Sequence, residues 1–271
     1  MKDNSHVIDD TQRVLINGAE IAYSDRGEGP LAIYAHGLTS SRAADARMNL
    51  YNWSFIVESG RRLVTYDARG HGRSGGRPVD TDYTWSNLAT DLLMLLDYFG
   101  AVSPVNGIGS SMGTGTVLHA AIRAPDRFNR LVLSTPPTAW ETREPQVRMY
   151  QAGAKLIEQK SLGAFEEMSS QAPRPEILAD VPAEAMKPDV TEDLLPFVMR
   201  GAALSDLPDE TSISELRLPV LILAWAGDPG HPLSTAEKLA SLIPGAQLEI
   251  AHTRDELQTW GELTARFLSK G

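Results

Sequence analysis

Short apolar runs alternate along the 271-residue chain with stretches of helical periodicity. Leu31–Ala35, Leu63–Tyr66, Val105–Ile108, Leu131–Leu133 and Val220–Leu223 are apolar at consecutive positions and end near Gly, Asp or Pro, the pattern of strands buried on both faces. Gln247–Ala251 reads as one more strand. Between them, Trp85–Phe99 carries Leu88, Leu92, Leu95, Leu96 and Phe99 at helical spacing and is stopped by Gly100. Met112–Ala124, Ala236–Ile243 and a closing segment Leu257–Leu268 show the same amphipathic period. Strand–helix alternation of this kind predicts an α/β fold with a mainly parallel sheet covered on both sides.

The alternation lapses once. From about residue 138 to 212 there is no strand pattern, only a segment rich in Ala, Glu, Met and Leu and broken by Pro145, Pro173, Pro175, Pro182, Pro188, Pro196 and Pro208. It reads as several short helices inserted into the sheet domain. The expected organisation is a core made of residues 1–137 and 213–271, with a helical lid over 138–212. Met149, Tyr150, Leu156, Phe165, Met168, Leu194, Leu195, Phe197 and Met199 supply the apolar side chains with which a lid closes a pocket, or with which a helical subdomain packs its own small core.

Composition narrows the chemistry. Lys plus Arg is 25 against 35 for Asp plus Glu, a net charge of −10, which disfavours nucleic acid as a partner. The absence of cysteine removes thiol nucleophiles, disulfides and thiolate metal sites together. No His, Asp and Glu cluster has metal-ligand spacing, so no metal and no cofactor is expected. The segment Met1–Gln12 is polar and lacks the apolar centre of a secretory leader, and no run of 18 apolar residues suggests a membrane span, so a cytoplasmic setting is expected. Oligomeric state is not legible.

The sharpest local signal is Gly109-Ser110-Ser111-Met112-Gly113, a G-x-S-x-G between a predicted strand and a predicted helix. That context is the one a nucleophile elbow requires: the central serine rides a tight strand-to-helix turn, and its neighbours are small because strand and helix pass close together. The helix beneath starts with unpaired N–H groups and the positive end of its dipole, which favour an oxyanion. Ser111 is the candidate nucleophile. A dinucleotide cradle is the rival reading of Gly107, Gly109 and Gly113, with Asp126 as a ribose contact; the third glycine is one place late for that fingerprint, and Asp126 follows a proline.

With this turn, three further motifs make the chain resemble the α/β-hydrolase family over residues 14 to 269. Ala35-His36-Gly37-Leu38 is similar to the family's His-Gly-x loop; Asp67-Ala68-Arg69-Gly70-His71-Gly72-Arg73-Ser74 to its D-x-R-G-H-G-x-S loop; and Leu218–Ala224 followed by Gly227-Asp228 to the strand and turn that carry its acid. The resemblance implies a roughly eight-stranded sheet, an oxyanion hole formed by the backbone N–H groups of Leu38 and Met112, and the chain order Ser, acid, His. Asp228 is then the candidate acid. His252, after the last strand, is the candidate base, although Ala251 and Thr253 flank it where relatives have a glycine before the histidine and a longer loop. His231, three residues beyond the acid, is the reserve for base or substrate contact. His36 and Trp140 are candidate pocket residues; His36 also reads as a structural residue lining the oxyanion loop, and Trp140 could equally pack at the hinge of the insertion.

Other charged and ring groups have plainer readings. Asp67 and Arg69 suggest a loop-stabilising ion pair, His71 a structural loop residue, His119 a packed or surface helix residue, and Glu141, Glu144, Glu166 and Glu167 a solvated face. The expected function is hydrolysis of a small carboxylic ester or lactone by a Ser-His-Asp triad through an acyl-enzyme. Thioesterase, C–C bond hydrolase and cofactor-free haloperoxidase activities on the same fold are the alternatives, as is a ligand-binding protein with an impaired triad.

Overall fold

A computed structural model describes residues 10–171 and 174–270. His6, most of the polar N-terminal segment and Pro173 lie outside the described residues. Eight strands form one sheet: β1 (Gln12–Ile16), β2 (Ala19–Arg26), β3 (Leu31–Ala35), β4 (Arg62–Tyr66), β5 (Val105–Ser110), β6 (Phe128–Ser134), β7 (Val220–Trp225) and β8 (Gln247–Ala251). Their order is β1-β2-β4-β3-β5-β6-β7-β8. Only β2 runs against its neighbours β1 and β4; from β4 to β8 every pairing is parallel.

Helices follow the strands: α1 (Arg42–Met48), α2 (Ser54–Glu58), α3 (Trp85–Tyr98), α4 (Met112–Arg123), α5 (Arg143–Gln159), α6 (Leu162–Ser170), α7 (Leu195–Ala203), α8 (Glu210–Ser214), α9 (Leu233–Leu242), α10 (Arg254–Gln258) and α11 (Trp260–Ser269). Strand alternation divides the core in two. Ile33, Ala35, Val105, Val220, Ile222 and Ala224 pack under α3, α4, α8 and α9. Tyr34, Ile108, Leu221, Leu223 and Trp225 point the other way, into α2, α10 and α11. The stretch between β6 and β7 holds α5 to α8 and short 3-10 turns. Its own small cluster of Ala154, Ile157, Leu195, Val198 and Met199 joins Tyr83 of the core and packs against Leu38.

Two strands missing from the list of apolar runs, β1 and β2, form a hairpin at the sheet edge. Asn17 and Gly18, both at positive φ, make its turn, an Asn-Gly signal visible in the sequence. The expected closing helix is two: Gln258 ends α10 and Trp260 opens α11.

Candidate active site

Ser111 sits where β5 turns into α4, with φ 52° and ψ −111°. A β-carbon-bearing residue takes this backbone only when its surroundings fix it. Here the Ser111 N–H donates to the Ser134 carbonyl at 3.0 Å, and the Ser111 carbonyl accepts from the Thr114 N–H at 2.9 Å. The turn thereby lifts the hydroxyl off the C-terminal edge of the sheet. Met112 opens α4, so its N–H belongs to the unpaired first turn of the helix.

The loop after β3 lies alongside. A β-carbon on Gly37 would stand 3.5 Å from that of Ser111. His36 is buried and spans this loop: Nδ1–H donates to the Gly37 carbonyl at 2.8 Å, while Nε2 accepts from the Ala68 N–H at 2.9 Å. Both ring nitrogens are thus spent on backbone. His36 sets the path of Gly37-Leu38, in line with a structural part in that loop.

The histidine that contacts Ser111 is the main departure from expectation. His231 Nε2 stands 2.8 Å from Ser111 Oγ, and His231 Nδ1 stands 2.8 Å from Asp228 Oδ2. His252 is exposed and makes neither contact; its N–H donates to Glu256 Oε2 at 2.6 Å. The reason is local. Thr253 caps α10 through the Glu256 N–H, and Glu256 reaches back in a capping box, so only two residues separate β8 from the helix. No loop remains to carry His252 over the sheet edge.

The turn after β7 can hold both Asp228 and His231 because it is tightly tied. Asp228 Oδ1 accepts from the Gly230 N–H at 2.8 Å, and the Asp228 carbonyl accepts from the His231 N–H at 3.1 Å. The Trp225 indole donates to Asp228 Oδ2 at 2.9 Å, and the Trp225 ring meets the imidazole edge-on. Trp225 is itself stacked on Trp260, and Trp260 on Tyr51. Burial alone would raise the Asp228 carboxyl. The hydrogen bond and charge of His231, with the Trp225 and Gly230 donors, outweigh it and hold the carboxyl at about 2. An ionised Asp228 only accepts, so Nδ1 of His231 carries the proton and Nε2 is free to accept from Ser111.

Trp140 stands at the start of the insertion with φ 48°. Its N–H donates to the Asp206 carboxylate and its indole to the Pro208 carbonyl, both at 3.1 Å. These contacts pin one end of the insertion to the other, which is the hinge reading. The expected Asp67–Arg69 pair does not form. Asp67 binds Arg42, with Nε at 3.1 Å, and Arg69 binds Asp91 and Asp82. Arg69 points into the β1–β2 side of the core, where it also donates to the Asn17 carbonyl.

His71 is fully buried beside His36. Its Nδ1–H donates to the Arg69 carbonyl at 2.9 Å, and Nε2 has no hydrogen-bond partner among the described residues. Burial, reinforced by His36, lowers its pKa to about 3. Between the ordinary histidine value and about 3, the unfolded chain binds a proton that the folded chain does not. Stability therefore falls as pH drops through that window, by up to about 1.4 kcal/mol per pH unit from this group alone. His71→Asn keeps an N–H donor but cannot titrate. Urea melts of both proteins across the window are expected to show a shallower loss for the variant; parallel curves would contradict the account.

The chain matches the model of the alpha/beta hydrolase fold over residues 30–262. It belongs to that family. It is 27% identical over 252 residues to 3-oxoadipate enol-lactonase 2 of Acinetobacter baylyi, covering 88% of this chain and 85% of that one. To 2-hydroxymuconate semialdehyde hydrolase of Pseudomonas putida it is 29% identical, with the same two shares covered. Among solved structures, the enol-lactonase from Burkholderia xenovorans superposes with a TM-score of 0.76 at 20% identity, over 96% of this chain and 100% of that one.

Proposed function

We propose that the protein is a serine hydrolase of small carboxylic esters or lactones, with Ser111 as nucleophile, His231 as base and Asp228 as the acid that orients it. The observation that carries this reading is the single imidazole bridging Ser111 Oγ and Asp228 Oδ2 at 2.8 Å on each side. As Ser111 Oγ attacks the carbonyl carbon, His231 Nε2 takes its proton. The tetrahedral oxyanion forms next to the N–H groups of Met112 and Leu38. Collapse expels the alkoxide, which takes the proton from His231; water, activated by the same ring, then releases the acyl group and restores Ser111.

The likeness to enol-lactonases supports a lactone as well as an open ester. The stretch from α5 to α7 acts as the lid, because Leu38, a wall of the proposed oxyanion loop, packs against its apolar cluster. The rival reading, a binding protein with an impaired triad, drew on the flanks of His252 and loses its motive once His231 makes both contacts. A fluorophosphonate probe followed by peptide mass spectrometry tests the proposal. The phosphonyl group is expected on Ser111 alone and to be lost in Ser111→Ala. Labelling elsewhere, or none, overturns the reading.

A further inference from the structure

Arg143 is the first residue of α5 and is buried, yet its partners are carbonyls, a hydroxyl and ring faces. Nε donates to the Ser205 carbonyl at 3.0 Å, and Nη2 to the Ala202 carbonyl at 2.7 Å. Nη1 reaches the carbonyl and hydroxyl oxygens of Thr138 at 3.3 and 3.2 Å. The guanidinium lies over the Trp85 ring, 4.4 Å from its centre, with Tyr150 on another side. Burying a cation this way is costly unless its donors are well used, and burial does lower its pKa.

The Thr138 contact leads to the active site. The Thr138 N–H donates to the Gly230 carbonyl at 3.1 Å, and Gly230 lies inside the turn that carries Asp228 and His231. The base thus depends on a four-residue turn whose outer side is held by Thr138, and Thr138 is held by Arg143. The same guanidinium grips the residues at the end of α7 and just after it, so the seat of the insertion and the path of the His231 turn share one clamp.

We propose that Arg143 is a positioning residue: by clamping Thr138 it aligns His231 with Ser111, and it couples that alignment to the docking of α5 and α7. This builds on the assignment of His231 as base. A guanidinium is suited to the task because its planar fork serves three carbonyls in fixed directions, which an ammonium cannot do.

Arg143→Met and Arg143→Lys test it, with p-nitrophenyl acetate as substrate, a fluorophosphonate as probe and the low-field proton of the His231 Nδ1–H···Asp228 bond as spectroscopic marker. In both variants kcat and the labelling rate are expected to fall together, by about 10- to 100-fold, as loss of alignment does. KM should move little, and the low-field proton should broaden or disappear while the chain remains folded. The Lys variant, which keeps the charge, serves if Met prevents folding. A variant that only loses thermal stability, with wild-type kcat, labelling rate and low-field proton, overturns the proposal. If wild-type protein is not labelled, the hydrolase assignment fails instead; a low-field proton unchanged in both variants then overturns the clamp on the His231 turn, and its loss supports it.

Discussion

His231→Ala is expected to reduce kcat/KM for an activated ester by about 10⁴-fold or more, the loss that follows when one member of a triad is deleted. His252→Ala should leave it within about twofold, because a surface side chain away from the chemistry rarely changes free energies by more than about 0.5 kcal/mol. The contrast rests on geometry. His231 Nε2 is the acceptor 2.8 Å from Ser111 Oγ, and the ring is backed by a carboxylate held near 2. The His252 side chain is exposed, and only its backbone N–H is used, by Glu256. Both variants should unfold at temperatures near that of the wild type, since neither histidine belongs to the buried core. A large loss in His252→Ala with near-normal rates in His231→Ala would mean that the strand-end histidine is the base and that the turn after β7 plays another part. Asp228→Asn extends the comparison: the amide would favour the wrong imidazole tautomer, so the rate should fall by a similar order.

The sequence made the parallel core and the serine turn readable because both rest on local rules. β3 falls on the apolar run that predicted it, β8 on the segment read as one more strand, and α4 starts at the residue after the elbow serine. The edge hairpin was harder, because β1 exposes most of its side chains and has no apolar run to announce it. Only its Asn-Gly turn gave a sign. That His231, and not His252, contacts Ser111 was hidden for a different reason. The family pattern puts the histidine after the last strand, and a histidine does stand there. Two local facts outweigh the pattern: the Thr253–Glu256 capping box closes the loop too early, and an Asp-Pro-Gly-His turn is short enough for its first and last side chains to meet. Both are legible in the residues once turn chemistry is weighed against motif order. The Thr138–Gly230 contact had no such signal, since it joins segments far apart in the chain through backbone groups.

Gly113→Ala is expected to cost heavily in stability. A β-carbon at this position would lie 2.0 Å from the Ala35 carbonyl oxygen and 2.9 Å from that of His36. Both atoms are backbone at the end of β3, so no side chain can swing away; α4 must separate from the sheet. Overpacking a rigid contact costs about 3 kcal/mol or more at its upper end, and for a chain of this size about 3 kcal/mol lowers the melting temperature by roughly 6–12 °C. Gly163→Ala is the control, because its added carbon would meet only the Ser161 hydroxyl, at 3.7 Å, inside the exposed part of α6. There the better helix propensity should stabilise by about 0.5–1 kcal/mol. Thermal melts of the two variants decide the matter, and a wild-type melting temperature for Gly113→Ala would show that β3 and α4 do not approach as described. The fraction of Gly113→Ala that folds should also be a poorer catalyst. The strand end it displaces continues into His36-Gly37-Leu38, and the helix end it displaces carries Met112. The two backbone donors assigned to the oxyanion would therefore move apart, lowering kcat while substrate binding in the lid changes little. The glycine that lets strand and helix touch is on this account also what sets the spacing of the donors above Ser111.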